Sequence, residues 1–221
     1  VPFSFRKHSA VAALVAVSAA ALSAVTSRTA RADEPSRAVA EPVATRRSSF
    51  TMGFVVGPML GQVAGFPNDA KKIGRASYYT ETGLGLGGAG TAWVGVALAD
   101  WLTFGLGASG DIFRASGLTA RTLAFTVHIE TFPIFTLGGP YRDLGIMLDA
   151  GTGVTTVKAA SGPTLIDSGG ASRVGLGFFY EGLRLGKFAM GPYVAADYVW
   201  SDASRRMGTM LGWRTAFYAK P

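Results

Sequence analysis

In the stretch TLAFTVHIE, residues 122–130, Leu123, Phe125, Val127 and Ile129 fall on one side of an extended chain and Thr122, Ala124, Thr126, His128 and Glu130 on the other. Side chains alternate across a strand with a period of two, so this pattern predicts a β-strand with one large apolar face and one small or polar face. The texture returns in eight runs: residues 49–61, 78–98, 102–113, 121–135, 144–158, 172–185, 188–200 and 207–218. That repetition predicts an all-β, antiparallel up-and-down chain. Most runs reach the roughly 9–11 residues that a tilted strand needs to cross a hydrocarbon layer.

Alternation is clean where Leu102, Phe104, Leu106 and Ala108 oppose Thr103, Gly105, Gly107 and Ser109, and where Leu211, Trp213 and Phe217 oppose Gly212, Arg214 and Tyr218. The run at 78–98 loses its phase near Gly88, where a bulge or kink is expected. Period two alone does not say which face meets lipid and which meets a core. A soluble periplasmic barrel of lipocalin shape, with the large apolar residues inward, is therefore one solution. The opposite face decides for a membrane: it holds glycine, threonine and sparse charge, with few of the Lys, Glu and Gln of a water-washed exterior. Composition agrees, since charged residues make up 16% of the chain against about 25% in average soluble domains, and mean hydropathy is +0.28.

The first 32 residues form a separate unit. Arg6, Lys7 and His8 precede the apolar run from Ala10 to Val25, and the small-x-small triplet Ala30-Arg31-Ala32 follows. This is the order of a secretory signal peptide cut before Asp33. The apolar run is shorter than the roughly 20 residues of a transmembrane helix. Val1 in place of methionine fits either an unusual start codon or a trimmed fragment. Residues 33–48, with two prolines and mixed charge, read as a flexible periplasmic leader, and 49–221 as the barrel.

The signal carries four of the 21 Lys+Arg and none of the 14 acids, leaving 17 against 14, a net charge of +3. The remaining basic pairs, Arg46-Arg47, Lys71-Lys72 and Arg205-Arg206, are scattered, so no nucleic-acid surface is expected. Without cysteine, disulfides, thiolate metal sites and cysteine nucleophiles are excluded.

Gap lengths give a topology. Gaps 62–77 and 159–171 are long, 99–101 and 186–187 are short, and 114–120, 136–143 and 201–206 are intermediate. Bacterial outer-membrane barrels alternate short periplasmic turns with longer extracellular loops. With the first strand running outward, Phe50, Trp101, Phe132, Phe135, Phe188 and Phe217 fall near the periplasmic ends, and Tyr78, Tyr79, Phe113 and Trp200 near the outer ends. Two aromatic belts around an aliphatic band are expected of a lipid-facing surface.

The signal, the eight runs and the loop pattern together resemble the small eight-stranded outer-membrane barrels of the OmpA, OmpX and OmpW type, over Ser49 to Tyr218. The resemblance implies a transmembrane β-barrel in the outer membrane, in contact with outer-membrane lipid and inserted by the outer-membrane assembly machinery. Such barrels typically end on an aromatic residue, whereas this chain ends FYAKP, with Phe217 and Tyr218 slightly inside.

Gly83, Gly85 and Gly88 stand in GxGxxG spacing, but the chain continues as strand where a dinucleotide fingerprint requires a helix, so no cofactor is expected. Alternation puts His128, Glu130, Asp149, Glu181, Asp197 and Arg214 on the face opposite the lipid. Buried charges must be paired or hydrated, so a polar lumen network is expected, with Arg214 and His128 offsetting the carboxylates. An interior of eight strands is just wide enough to be filled by side chains, which favours a structural plug over a general porin. Four roles are compatible with the residues: a structural or surface-interaction barrel, a narrow channel or transporter, a lipid-modifying enzyme, and the lipocalin-like carrier. Catalysis has weak support, since His128 has Glu130 two residues away but no serine beside it, with Ser172 and Ser201 at strand ends. One histidine among acids is equally weak as a metal site. The long outer loops, 62–77 and 159–171, are candidate contacts for a surface partner.

Overall fold

The computed structural model describes residues 45–220; the expected signal peptide and the expected leader up to residue 44 lie outside the described residues. Eight long strands follow in chain order: β1 (Ser48–Gly65), β2 (Gly85–Ala99), β3 (Leu102–Ala115), β4 (Leu118–Thr131), β5 (Leu144–Ala159), β6 (Ala171–Tyr180), β7 (Phe188–Trp200) and β8 (Ser204–Lys220). Each pairs antiparallel with its sequence neighbour, and β8 also pairs with β1, from Thr51↔Tyr218 to Gly65↔Ser204, which closes the sheet into a barrel. Closure removes the unpaired edges an open sheet would expose. Three short strands extend the wall at its rims: Thr80–Glu81 beside β1, Thr164–Asp167 beside β5 and Leu183–Leu185 beside β7.

The alternation predicted from sequence becomes an inside and an outside. On β4, Ala120, Thr122, Ala124, Thr126, His128 and Glu130 are buried in the lumen, while Leu123 and Phe125 are 64% and 55% exposed. The concave inner face of so narrow a barrel is crowded. A Cβ on inward Gly87 would stand 1.9 Å from the Ile112 carbonyl oxygen, and one on inward Gly57 2.1 Å from that of Leu211. Both positions therefore require glycine. Apolar side chains fill the lumen between its polar layers: Met59, Val63, Phe113, Val157 and Ile166 towards the outer end, then Val55, Phe132, Met147, Phe179 and Tyr193.

Four expectations change. The bulge expected near Gly88 is absent, because β2 begins at Gly85 and keeps register with β1 and β3 through Gly88; its irregularity lies between Ala97 and Ala99. The series loses its phase because residues 78–84 precede β2 and because outward Gly88 and Gly90 interrupt the apolar side chains without breaking the pleat. The connection expected at 114–120 is a tight turn on Ser116 and Gly117, both at positive φ (50° and 76°), as a two-residue hairpin requires. The connection expected at 136–143 runs instead from 132 to 143 and carries two short 3-10 segments, so the inner end has a longer link here than the outer end. Finally, the leader expected to be flexible through residue 48 gives way earlier, since Arg46 and Arg47 are tied into ion pairs and β1 starts at Ser48.

Candidate functional site

Arg214 projects inward from β8 and is 1% exposed. Its Nε and Nη2 donate to Glu130 at 2.7–3.0 Å, and its Nη1 donates to Glu181 Oε2 at 2.6 Å. The guanidinium lies 4.2 Å from the centre of the Phe179 ring and 5.1 Å from that of Trp93. Tyr218 Oη donates to the same Glu181 oxygen at 3.0 Å. The near-terminal aromatic is thus a lumen residue, its ring buried and its hydroxyl partnered.

On β4 and β5, His128 and Asp149 are register partners, and His128 Nδ1 lies 2.7 Å from Asp149 Oδ1. Its Nε2 is 3.3 Å from Glu130 Oε1, close enough for an ion pair but without hydrogen-bond geometry. The ring stacks on Trp93 at 4.6 Å between centroids. His128, Glu130, Asp149, Glu181 and Arg214 therefore form one connected layer across the barrel.

Asp197 does not belong to it. It meets Arg206 and Arg173 (Nη2 to Oδ2, 3.1 Å), and Arg206 Nη2 reaches Asp111 Oδ2 at 2.7 Å, in a second cluster nearer the outer end. A cavity of about 30 Å3 separates the layers, touched by Thr91, Asp149, Tyr193, Arg173 and Asp197. That volume holds a water molecule or two.

The inner mouth carries residues that sequence reasoning did not place in any site. Arg47, 0% exposed, donates from Nε to Glu181 Oε1 (2.7 Å), from Nη2 to the Arg142 carbonyl and Asp143 Oδ1 (both 3.0 Å), and from Nη1 to the Asp100 carbonyl (3.0 Å). Its guanidinium carbon lies over the Phe132 ring, 3.4 Å from its centre. Arg46 and Arg184 add ion pairs to Asp143, Arg184 a further one to Glu181, and Arg142 one to Asp100. Nothing in the local sequence marks these residues as buried, because they come from the ends of strands and from the connections around 45–47, 99–101, 132–143 and 181–187, where alternation gives no inside or outside.

The outer mouth is crossed by the loops. Ile166, on the short strand beside β5, is fully buried among Met59, Val63, Phe113 and Val157. The loop from 66 to 84 meets the loop from 160 to 170 where the Asp167 amide donates to the Phe66 carbonyl at 3.2 Å. In that first loop the Lys71 amide, with Lys72 beside it, holds the Asp69 carboxyl below its usual range.

The exterior is apolar along its length: Met52, Phe54, Val56, Val94, Leu106, Phe125, Leu148, Leu176, Val194, Leu211 and Trp213 all point away from the lumen and are exposed. Of the aromatics expected in two belts, Phe50, Trp101 and Phe188 are exposed at the inner end, with Phe217 half-buried against Phe188, and Tyr78, Tyr79 and Trp200 at the outer end. Phe132 does not join the inner belt: it is 0% exposed, turned into the lumen beneath Arg47. Phe113 likewise faces the core, and Phe135 is half-buried against the inner cluster. Phe54, Phe125, Phe178 and Trp213 stand between the two ends, so the belts are enriched in aromatics without holding all of them. A sheet closed by strand-to-strand pairing, with a continuous apolar outside, meets the demands of hydrocarbon. The chain is an eight-stranded transmembrane barrel.

No protein-family model and no curated protein matches the sequence. Among solved structures it is similar to Ail, the attachment invasion locus protein of Yersinia pestis, at 12% identity and a TM-score of 0.46, covering 76% of this chain and 99% of that one. It is also similar to the outer membrane protein OprG from Pseudomonas aeruginosa (13%, TM-score 0.42, covering 78% and 98%) and to the outer membrane protease OmpT from Escherichia coli (7%, TM-score 0.38, covering 80% and 99%). These are loose superpositions, and the barrel described above rests on this chain's own strand register and burial. Among the described residues no group of three or more acids and histidines has the arrangement of a metal site.

Proposed function

We propose that the chain is an integral outer-membrane barrel whose lumen is closed by ion pairs, and whose role is structural or exerted through its exterior and outer loops. The observation that carries this is the stack of buried layers across the lumen. Arg47 and Arg214 bridge Glu181, Glu130, Asp143 and Asp100 at the inner end, His128 bridges Asp149 and Glu130, and Arg173 and Arg206 bridge Asp197 and Asp111 above them. An ion entering such a lumen must replace charge-assisted bonds that have no bulk water to fall back on. Ile166 above and Phe132 below add apolar stoppers. The alternating face that meets lipid and the secretory-type N-terminal sequence support the outer membrane as the address, reached through its assembly machinery.

The reading assigns no reaction. His128 and its carboxylates are spent on one another and on Arg214, and the hydroxyls in hydrogen-bond reach of this layer, those of Thr126 and Tyr218, are engaged with Asp149 and Glu181. The loops 66–84 and 160–170 remain the surface for an outside partner.

Single-channel recording in planar bilayers tests the proposal. The native barrel is expected to give no sustained conductance, and Arg47→Ala combined with Arg214→Ala to open it. Sustained conductance of the native protein would favour the narrow-channel reading instead.

A further inference from the structure

The outer wall of β2, β3 and β4 has a dent floored by glycine. Outward Gly90 and Gly110 are register partners, and Gly88 lies one outward position further along β2. A Cβ on Gly88 would meet nothing nearer than 3.8 Å and one on Gly110 nothing nearer than 3.6 Å, whereas one on Gly90 would stand 3.1 Å from the Val55 carbonyl oxygen; packing thus holds Gly90 and leaves Gly88 and Gly110 free to carry a side chain, unlike inward Gly57 and Gly87. With Ile112, Leu123 and Val154 standing at its sides, this floor forms an open groove of about 620 Å3.

The groove leads outward to positive charge. Arg121, on its lining, projects from β4 between Ile112 and Thr156, and the next outward position on β4, Thr119, is flanked by Arg114 of β3 and Lys158 of β5. All three cations are exposed on the barrel's exterior within a few residues of the strands' outer ends, and among the described residues none has an ion-pair partner. At a strand spacing of about 4.8 Å the backbones of Arg114 and Lys158 stand roughly 10 Å apart, with Arg121 below and between them. Two carboxylates lie nearby. Asp167, the register partner of Thr156, caps the Gly169 amide at 2.9 Å, and Asp111, behind the wall, is taken by Arg206.

A cation on a lipid-facing wall is costly unless it reaches the interface and meets an anion there. We infer that this wall holds one phosphorylated, acylated lipid of the outer leaflet, with an acyl chain in the glycine-floored groove and a headgroup phosphate on Arg121, Arg114 and Lys158. The inference rests on the outer-membrane reading above. Guanidinium groups suit the phosphate because their paired donors match two of its oxygens.

The test uses the purified full-length barrel in detergent, each sample first checked for the gel-mobility shift of a folded barrel. Native mass spectrometry then measures retention of bisphosphorylated lipid A, dephosphorylated lipid A and inorganic phosphate. The native protein is expected to retain the bisphosphorylated lipid about tenfold or more better than the dephosphorylated one, the scale of one charge-assisted contact. Arg114→Gln with Arg121→Gln and Lys158→Gln should abolish the preference, and Gly110→Leu should weaken retention of both lipids by filling the groove. Equal retention of the two lipids, an unchanged preference in the triple variant, or phosphate alone binding as tightly as lipid A would overturn the inference while the mobility shift still stands. Loss of the shift in the native protein would count against the membrane barrel itself.

Discussion

Arg214 spends its guanidinium on two carboxylates, one on β4 and one just past the end of β6, so its removal strands both. Arg214→Met is expected to lower stability by about 3–5 kcal/mol, the usual cost of leaving buried charge uncompensated. Urea titration of the folded fraction in detergent checks this, and adding Glu130→Gln and Glu181→Gln to the same protein should recover part of the loss. The glycines give a paired test on one strand. Gly87→Ala drives a methyl into the Ile112 carbonyl and should prevent correct closure, whereas Gly88→Ala, one residue on and facing out, should leave the unfolding midpoint near that of the native chain. Alternation alone assigns His128, Glu130, Asp149, Glu181, Asp197 and Arg214 to the inner face. Height along the barrel is another matter, because it is set by the stagger of the strands, which no single strand encodes. That is why Asp197, on the same face, belongs with Arg173, Arg206 and Asp111 and not with Arg214.

Among the elements, the connections depart furthest from what the gaps in the sequence imply. The Ser116-Gly117 turn places a serine at positive φ, a conformation asparagine adopts more readily, so Ser116→Asn is expected to stabilise the β3–β4 hairpin by about 0.5 kcal/mol and Gly117→Val to destabilise it by more. Thermal unfolding in detergent reads both. At the inner end, the short stretch before β1 behaves as a peg. Arg47→Ala and Glu181→Gln should each destabilise, and their double-mutant cycle should show a coupling of about 0.5–3 kcal/mol, where independent sites would add. Strands were legible because period two runs through all eight. The peg and the 132–143 segment were not, because a buried arginine in an irregular segment carries no local mark of its burial, and only the closed wall around it supplies the partners.

At the scale of the molecule, one alternation sorts the chain into a lumen rich in glycine and paired charge and an exterior rich in exposed aliphatic and aromatic side chains. The aromatic belts follow this sorting only in part. Phe132 sits near the inner rim as expected but faces inward, its ring buried beneath the Arg47 guanidinium. Closure by β8 onto β1 accounts for the rest: it leaves no free edge and lets a narrow barrel satisfy its backbone internally within hydrocarbon. This closed sheet is expected to stand in the outer membrane with its apolar face in lipid. The most direct measurement is gel mobility, with and without boiling, of the protein extracted in detergent from outer-membrane fractions. A transmembrane barrel should be recovered in that fraction, with a faster-migrating unheated form that converts on boiling. Recovery in the soluble periplasmic fraction, with one mobility under both conditions, would contradict it.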